Sequence, residues 1–351
     1  MDFAFTPEQL ELREGVRDAL KGLDGGPGPV DPAAAWSRLS GLGLTGALVA
    51  PEHGGLGLDE LDVVLGLEET GWAALPVPVV ETALVAARLL TGAEQAGALV
   101  AGRRVSAVLD GSGLLPWPGQ AEIALVGDVP GGVPGGVRGG VGGGAGGGTV
   151  RVLAGGSAGP AAEPVPALDP ARPLGRIPPG AGAALAADPA VLARAGRAGA
   201  LGTAAQLIGL AARALEMTVS YVGERTQFGV PVGSFQAVKH QLADAHLALE
   251  MARPLVYAAA WAQAHDTPSA SRDVAAAKTR ASDAAAAVAR AALQCHGAMG
   301  YTREYPLHRW LTRIWALRAA WGTPAAGRAV LAAQLGLVAA RPVTTAGGTD
   351  E

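Results

Sequence analysis

The sequence contains very little cysteine and few aromatic residues. Cys295 is the one cysteine among 351 residues, so no disulfide can form within the chain, and we expect a reducing compartment. Aromatic residues make up 4% of the chain and no basic stripe accompanies them, so we expect no nucleic-acid partner. The chain has no basic, apolar leader and no charge-free apolar run of about 18 residues. We therefore expect no membrane span and a cytoplasmic location.

Apolar residues are abundant, and charge is distributed unevenly. A hydrophobic content of 49% allows a large core divided over two or three folding units. Residues 1–186 carry 11 basic and 20 acidic side chains, whereas residues 187–342 carry 16 basic and 9 acidic ones. The basic carboxy-terminal half suits a diphosphate-bearing ligand such as FAD or coenzyme A. Solvated helix faces account for most of these arginines.

Helical periodicity and short strand-like runs predict an α+β fold that is mostly α. Near the N-terminus, Thr6-Pro7-Glu8 is typical of an N-cap followed by a first helical turn. The stretch 130–148 is nearly all glycine, proline and valine, and we expect a mobile surface insertion there. The predicted units are an N-terminal α-helical domain at 1–103, a reduced middle β domain at 104–186, a C-terminal helical bundle at 187–340, and a disordered tail at 341–351.

The bundle is predicted to contain four helices, and the middle domain three strands. Both follow from the hydrophobic period, which is near 3.6 residues in the bundle and near 2 in the strand-like runs. The predicted helices are 191–222, 235–265, 271–294 and 306–320, and the predicted strands are 105–109, 121–126 and 149–153.

Two short motifs and one pair of histidines are weak evidence for a functional site. The glycines from Gly41 to Gly46 fit GxGxxG, but they follow a helical segment rather than a strand. The GxSxG match at 155–159 lies in a glycine tract without a following helix. His240 and His246 are six residues apart and do not share the i, i+4 face of a helical metal pair. We predict no metal site.

Three segments together resemble the C-terminal domain of the flavin-dependent acyl-CoA dehydrogenase family. The first is Arg225-Thr-Gln-Phe228-Gly229, the second is Gln294 with Gly297, and the third is Gly322-Thr323 after an amphipathic helix. The resemblance covers nearly the whole chain and is weakest in 105–186. It implies an N-terminal helical domain, a middle β domain, a C-terminal four-helix bundle, and FAD bound across a subunit interface.

The resemblance also implies which residues face the flavin. A guanidinium can grip a diphosphate with two parallel hydrogen bonds, and a glycine turn lets backbone N–H groups approach a dinucleotide. The alternative is that Arg225 pairs with Glu224 and that the glutamines satisfy helix ends. The implied cofactor-binding residues are Arg225, Phe228, Gln236, Gln294, Gly297 and Thr323.

The catalytic half of the family's site is missing. Trp321 stands where the family usually has its proton-abstracting glutamate, and Ala325 stands where it has a glutamine. Some relatives place the base on the first bundle helix, and the corresponding position here is near Gly199. An indole N–H is a donor only, so Trp321 cannot abstract a proton. The family's flavin-binding loop is not recognisable in the middle domain, and we predict no catalytic residue in this chain.

These features suggest an FAD-associated subunit that is inactive without a catalytically complete acyl-CoA dehydrogenase partner, in an α2β2 assembly. The pair would dehydrogenate an acyl-CoA substrate at Cα–Cβ and pass electrons to an electron-transfer acceptor. One alternative is a homotetramer with an unconventional base such as Glu304 or Asp283. Another is a flavin-free structural or regulatory homologue, but the retention of Arg225, Gln236 and Gln294 counts against it.

Overall fold

The computed structural model describes residues 4–23, 30–128, 149–155 and 159–337. The predicted insertion at 130–148 and the predicted tail at 341–351 lie outside these residues. The described part is mostly helical, as predicted. Its α-helices are α1 (Pro7–Leu20), α2 (Pro32–Gly41), α3 (Glu60–Trp72), α4 (Ala87–Leu89), α5 (Ala93–Val100), α6 (Pro189–Glu224), α7 (Gln236–Ala264), α8 (Ala270–His296), α9 (His308–Ala319) and α10 (Pro324–Gln334).

The N-terminal helices begin at strong local signals. The Thr6 hydroxyl oxygen accepts a hydrogen bond from the Gln9 backbone N–H, and the Gln9 side-chain oxygen accepts one from the Thr6 backbone N–H, forming a capping box. Asp59 caps α3 in the same reciprocal way with Asp62. Asp31 caps α2, and Pro32 occupies its first turn, where a proline needs no hydrogen-bond partner.

The middle region holds more strands than predicted. Three of them match the predicted runs: β1 (Val105–Val108), β3 (Ile123–Asp128) and β4 (Thr149–Ala154). The other four strands are short. They are recognised by their pairing with neighbouring strands and not by a pattern in their own residues. They are β2 (Leu114–Pro116), β5 (Glu163–Val165), β6 (Leu174–Arg176) and β7 (Ala183–Leu185).

Two small sheets result. One has the order β1-β3-β4-β7, with β1 parallel to β3 and the remaining pairs antiparallel. The other has the order β2-β6-β5 and is antiparallel throughout. A two-stranded hairpin of β8 (Thr226–Gln227) and β9 (Val230–Pro231) connects α6 to α7 in the bundle.

The four predicted bundle helices are confirmed as α6, α7, α8 and α9. Helix α6 is 36 residues long and lies in the middle of the molecule, packed against α3, α7, α8 and α9. By length and composition it could cross a membrane, but 89% of its most apolar window is buried inside the protein. A core helix of a folded domain has this character.

Glycines allow α3 and α6 to cross closely. A β-carbon added to Gly71 would lie 2.6 Å from the Gln206 Cα, and one added to Gly209 would lie 2.6 Å from the Trp72 backbone nitrogen. Only glycine permits backbones to approach so closely. The N-terminal helices, β1 and the bundle consequently share one continuous hydrophobic core.

Candidate functional site

The segments predicted to face a flavin meet at one end of the bundle. Tyr221, near the end of α6, stacks on His296 at the end of α8, with ring centroids 4.3 Å apart. The Cys295 Sγ lies 3.8 Å from the Gln241 Oε1 near the start of α7. Because α7 and α8 are antiparallel, the end of α6, the start of α7 and the end of α8 form a single surface.

Arg225 stands at the end of α6 with its side chain exposed. Its backbone N–H donates to the Tyr221 carbonyl, and its own carbonyl accepts from the Val232 N–H. Across the described part of the chain, no group pairs with the Arg225 guanidinium. The alternative pairing with Glu224 is not observed, since Glu224 accepts from the Ser220 hydroxyl at 3.1 Å. All five guanidinium donors are free for a ligand or a neighbouring chain.

The hairpin after Arg225 presents an aromatic side chain to solvent. Phe228 has a φ of 52° at the turn between β8 and β9, and its side chain is 93% exposed. Phe235 lies edge-on to it at 6.4 Å and precedes Gln236, the first residue of α7. The Gln236 side chain is exposed as well. A large apolar ring held this far into solvent on a short hairpin is typical of a contact surface.

Gln294 and Gly297 lie at the end of α8. The Gln294 side chain is exposed, and its carbonyl accepts from the Gly297 N–H. Gly297 has a φ of 56°, and no atom would lie within 4 Å of a β-carbon added there. The open space beside this turn fits a ligand that approaches the backbone closely. Together with the free Arg225 guanidinium, this end of the bundle fits the diphosphate of FAD.

Trp321 lies apart from that surface, in the interior. It is 8% exposed and adopts a left-handed φ of 54° in the turn between α9 and α10. Its indole ring lies against Gly199 of α6, where an added β-carbon would be 2.5 Å from the Trp321 Cδ2. Trp321, predicted to stand at the family's usual base position, is therefore in contact with Gly199, near which the alternative base position is predicted. Neither carries an ionisable side chain.

The threonine predicted to contact the flavin has a structural partner. The Thr323 Oγ1 accepts from the Ala326 N–H at 3.3 Å and caps α10. Ala325, in the following turn, is exposed. The Thr323 hydroxyl hydrogen is still available to a ligand, so the cap and a cofactor contact are compatible.

A buried lysine that the sequence analysis did not single out fixes the Trp321 turn. The Lys278 Nζ donates to the carbonyls of Leu317 and Gly322, each at 3.1 Å, and to the Ser282 hydroxyl at 3.1 Å. The Leu317 carbonyl belongs to the last turn of α9, whose carbonyls lack helical partners. Burial and, to a smaller extent, the neighbouring Arg318 charge together lower the pKa of Lys278 to about 7.

A buried carboxylate was also missed. Glu81 begins a π-helical turn, Glu81–Ala86, and is 3% exposed. Burial raises its pKa, and the nearby Arg172 charge opposes this rise without reversing it. The sequence does contain a signal that could have identified Glu81. It is the single acidic residue in the largely apolar stretch from Val77 to Ala86. Pi-helical turns of this kind are often found at functional sites.

The residues proposed as unconventional bases lie elsewhere. Asp283 pairs with Arg328 at 3.2 Å and with Arg318 at 3.8 Å, and Glu304 is exposed beyond the end of α8. No cluster of metal-ligating side chains occurs within the described ranges. Cys295 is half-buried, and burial raises the pKa of its thiol, which disfavours the reactive thiolate.

Comparison with known proteins agrees with the fold and with the motifs. Residues 192–336 match the family model described as acyl-CoA dehydrogenase, C-terminal domain. Acyl-CoA dehydrogenase IpdE2 of Mycobacterium tuberculosis is 31% identical over 324 residues, which cover 88% of this chain and 91% of the relative. The chain belongs to the acyl-CoA dehydrogenase family, whose members are flavoprotein oxidoreductases acting on CH–CH donors.

Two solved structures share nearly the whole fold. A variant of the Tcur3481–Tcur3483 steroid ACAD superposes with a TM-score of 0.78 at 25% identity, covering 94% of this chain and 98% of that one. The ChsE4–ChsE5 complex from Mycobacterium tuberculosis superposes with a TM-score of 0.77 at 23% identity, covering 97% and 100%. Each of these two proteins is named for a pair of different chains.

Proposed function

We propose that this chain is one subunit of a heteromeric acyl-CoA dehydrogenase. It would contribute residues to an FAD held mainly by a partner chain, and the partner would supply the catalytic base. The asymmetry between the two parts of the site carries this proposal. Arg225, Gln236 and Gln294 stand exposed at one end of the bundle, whereas the base position holds Trp321, buried against Gly199.

The exposed residues suit the ends of a dinucleotide. Arg225 would bind the diphosphate, the Gly297 turn would offer its backbone, and Gln236 and Gln294 would hydrogen-bond polar groups of the cofactor. A flavin bound there would accept the hydride that leaves the acyl Cβ. This chain's own residues would orient the cofactor and would take no proton from the substrate.

An apolar ridge supports the presence of a partner chain. Leu247, Met251 and Leu255 follow one another at intervals of four on α7, and their exposed fractions are 61%, 61% and 39%. Side chains at this spacing share one helix face. Exposed apolar ridges of this kind are usually covered in an assembly. The paired chains named in the similar structures, Tcur3481–Tcur3483 and ChsE4–ChsE5, favour a different chain over a second copy.

The test is the visible absorption of the purified protein near 450 nm. The chain would be expressed alone and together with a complete acyl-CoA dehydrogenase chain encoded beside it. We expect flavin absorption only in the co-purified complex. Stoichiometric flavin on the chain alone would overturn the proposal and favour the homotetramer, whereas a colourless complex would favour the flavin-free alternative.

A pair of arginine variants then locates the contact. Arg225→Ala in the complex should release flavin during gel filtration without altering the stability of this chain, because the guanidinium has no partner among the described residues. Arg280→Ala is the matched control, since Arg280 is also exposed and lies 14 residues before Gln294 on α8, about 21 Å along the helix. Equal flavin loss in both variants would contradict the assignment of Arg225.

A further inference from the structure

Three aromatic rings lie in contact at the end of the bundle where the predicted flavin-facing segments meet. The buried His296 ring stacks on Tyr221, with centroids 4.3 Å apart and an angle of 19° between the planes. The Tyr305 ring lies 4.9 Å from His296 and 5.7 Å from Tyr221. The cluster therefore joins the end of α6, the end of α8 and the segment that leads into α9.

Two of the rings are attached by short pieces of backbone to the predicted flavin contacts. The Tyr221 carbonyl accepts a hydrogen bond from the Arg225 N–H at 2.8 Å. His296 is the last residue of α8 and stands directly before Gly297, whose N–H donates to the Gln294 carbonyl. The stacking of Tyr221 on His296 therefore couples the position of Arg225 to that of the Gly297 turn.

The surroundings of His296 favour the neutral imidazole. Its Nδ1 lies 2.8 Å from the Ala292 carbonyl oxygen, which can only accept, so Nδ1 carries a hydrogen. Its Nε2 is buried and has no hydrogen-bond partner in the part of the chain that the structure describes. A proton on Nε2 would create a buried charge and a donor without an acceptor, which is costly. Burial accordingly lowers the pKa of His296, and the hydrogen bond to Ala292 opposes this only in part.

No neighbouring charge offsets the cost of protonating His296. The titratable side chains on the elements around the ring are Arg213, Tyr221, Glu224 and Arg225 of α6 and its end, Cys295 of α8, and Tyr305 and His308 at the start of α9. Glu224 accepts from the Ser220 hydroxyl, and Arg213 pairs with Glu216 at 3.1 Å. Burial raises the pKa of Tyr305 and of Cys295, so both stay neutral near pH 7. Among the described residues, no carboxylate forms an ion pair with His296.

We propose that His296 is a positioning residue for the flavin contacts of this chain. Its uncharged ring, stacked on Tyr221, holds Arg225 and the Gly297 turn at the spacing that a bound dinucleotide requires. Protonation of the ring breaks this arrangement and weakens flavin binding. The inference rests on the proposed function, because it concerns the flavin that this chain would share with its partner. It adds a sensitivity to acid that resides in this chain and not at the partner's catalytic base.

The test measures the affinity of the two-chain complex for FAD by equilibrium dialysis between pH 7.5 and pH 5. The pKa of His296 is read from the imidazole NMR signals of the full-length chain, in which His296→Phe identifies one of six signals by its loss. The folded pKa is lowered, so we expect constant affinity above about pH 6.5. Below the measured pKa, affinity should fall about tenfold per pH unit, because one proton is taken up as flavin leaves.

Two variants separate the ring from its charge. His296→Phe keeps an aromatic ring against the two tyrosines but cannot take up a proton, so it should bind flavin normally at pH 7.5 and keep it at pH 5. His296→Ala removes the ring and leaves the two flavin contacts without a fixed spacing. It should bind flavin about tenfold more weakly over the whole pH range.

His265→Phe is the matched control. His265 stacks on Trp261 at 4.5 Å, and its Nδ1 lies 2.9 Å from the Trp261 carbonyl, so its local contacts resemble those of His296. However, His265 is exposed and follows the last residue of α7, at the opposite end of that helix from Gln236. The His265→Phe complex should release flavin on acidification as the wild type does.

Acid-induced release from the His296→Phe complex equal to that from the wild type would overturn the proposal. If neither His296 variant folds, the wild-type protein decides. A flavin affinity that begins to fall at the measured pKa of His296 would support the proposal, and a fall at a different pH would contradict it. A flavin-bearing complex with a flat pH profile would overturn this inference alone, whereas a complex that binds no flavin would overturn the proposed function.

Discussion

The Trp321 indole lies against Gly199 so closely that an added β-carbon would sit 2.5 Å from the Cδ2 atom and 2.7 Å from the Cζ3 atom. The large residue and the absent side chain are complementary. Trp321 is predicted to stand where the family usually has its catalytic glutamate, and Gly199 lies near the position predicted for the base in some other relatives. Neither residue carries an ionisable side chain, and the packing of one against the other fills this part of the interior.

Gly199→Ala tests this complementarity. The methyl group would overlap the indole, so the free energy of unfolding should fall by about 1–3 kcal/mol. Gly223→Ala is the control, because Gly223 lies in the same helix with no atom within 4 Å of an added β-carbon. That change should stabilise the helix by about 0.5–1 kcal/mol. Urea denaturation measures both. A Gly199→Ala variant as stable as Gly223→Ala would show that the ring can move away at little cost.

Trp321→Glu should not create a dehydrogenase. The introduced carboxylate would lie beside Glu81 in a buried site, and the free energy of unfolding should fall by about 3–5 kcal/mol near pH 8. Burial and the like charge raise both pKa values in the folded state, so the unfolded state gives up its protons first. Stability should then fall as the pH rises above about 4.5.

Two measurements check the Trp321→Glu variant. Denaturation at pH 5 and pH 8 should show a larger loss at the higher pH, and Trp321→Phe should show the same loss at both. Acyl-CoA oxidation by the variant without a partner chain should be absent. Turnover by the chain alone would mean that the pocket is merely filled and otherwise complete.

Lys278 predicts a dependence of stability on pH. Burial lowers its pKa to about 7, below the value near 10.4 expected in the unfolded chain. Between these two pKa values the unfolded state binds more protons than the folded state. The contribution of Lys278 to the free energy of unfolding therefore rises with pH, by up to about 1.4 kcal/mol per pH unit. Below pH 7 the full cost of burying the charge is present.

Urea denaturation from pH 6 to pH 9 separates the contribution of Lys278 to stability from the contributions of other titratable groups. The difference in stability between the wild type and Lys278→Met should change with pH over this range. The difference between the wild type and Lys239→Met should not, because Lys239 is exposed on α7. If the difference in stability between the wild type and Lys278→Met stays constant, Lys278 remains protonated over the whole pH range. Its hydrogen bonds to the Ser282 hydroxyl and to the carbonyls of Leu317, Arg318 and Gly322 would then be what retains the proton.

The ion pair between Arg313 and Asp169 attaches the middle region to the bundle. Both side chains are buried, with exposed fractions of 4% and 3%. Arg313→Met would leave the Asp169 carboxylate buried without its partner, and stability should fall by about 3–5 kcal/mol. The double variant with Asp169→Leu should recover much of this loss. Additive losses in a double-mutant cycle would contradict a direct coupling.

The helices were predictable because their signals are local. The 3.6-residue period, Thr6 at the start of α1 and the glycine turn after α8 each mark a helix without reference to the rest of the chain. The short strands β2, β5, β6 and β7 were missed because each has three residues, too few to show an alternating pattern. Their pairing partners define them, and single-sequence patterns do not contain that information.

The residues of the candidate site likewise fall into a group that was predictable from the sequence and a group that was not. Arg225, Gln236 and Gln294 were identified from the resemblance of their motifs to those of the family, and their roles toward a flavin stay predictions. The contacts around Trp321 were not predictable, since Glu81, Gly199 and Lys278 are brought together from distant parts of the chain. Spacing along a sequence predicts a surface on one helix end, whereas a buried cluster depends on the packing of several elements.

The close crossing of α3 and α6 has a consequence for synthesis on the ribosome. The hydrogen bond from the Gln206 amide to the Thr70 hydroxyl joins residues 136 positions apart. At about 5–20 residues per second, α3 therefore leaves the ribosome about 7–27 seconds before the facing part of α6 can cover it. During that interval the apolar face of the nascent N-terminal helices is open to chaperones, and the order of translation sets how long they must remain bound.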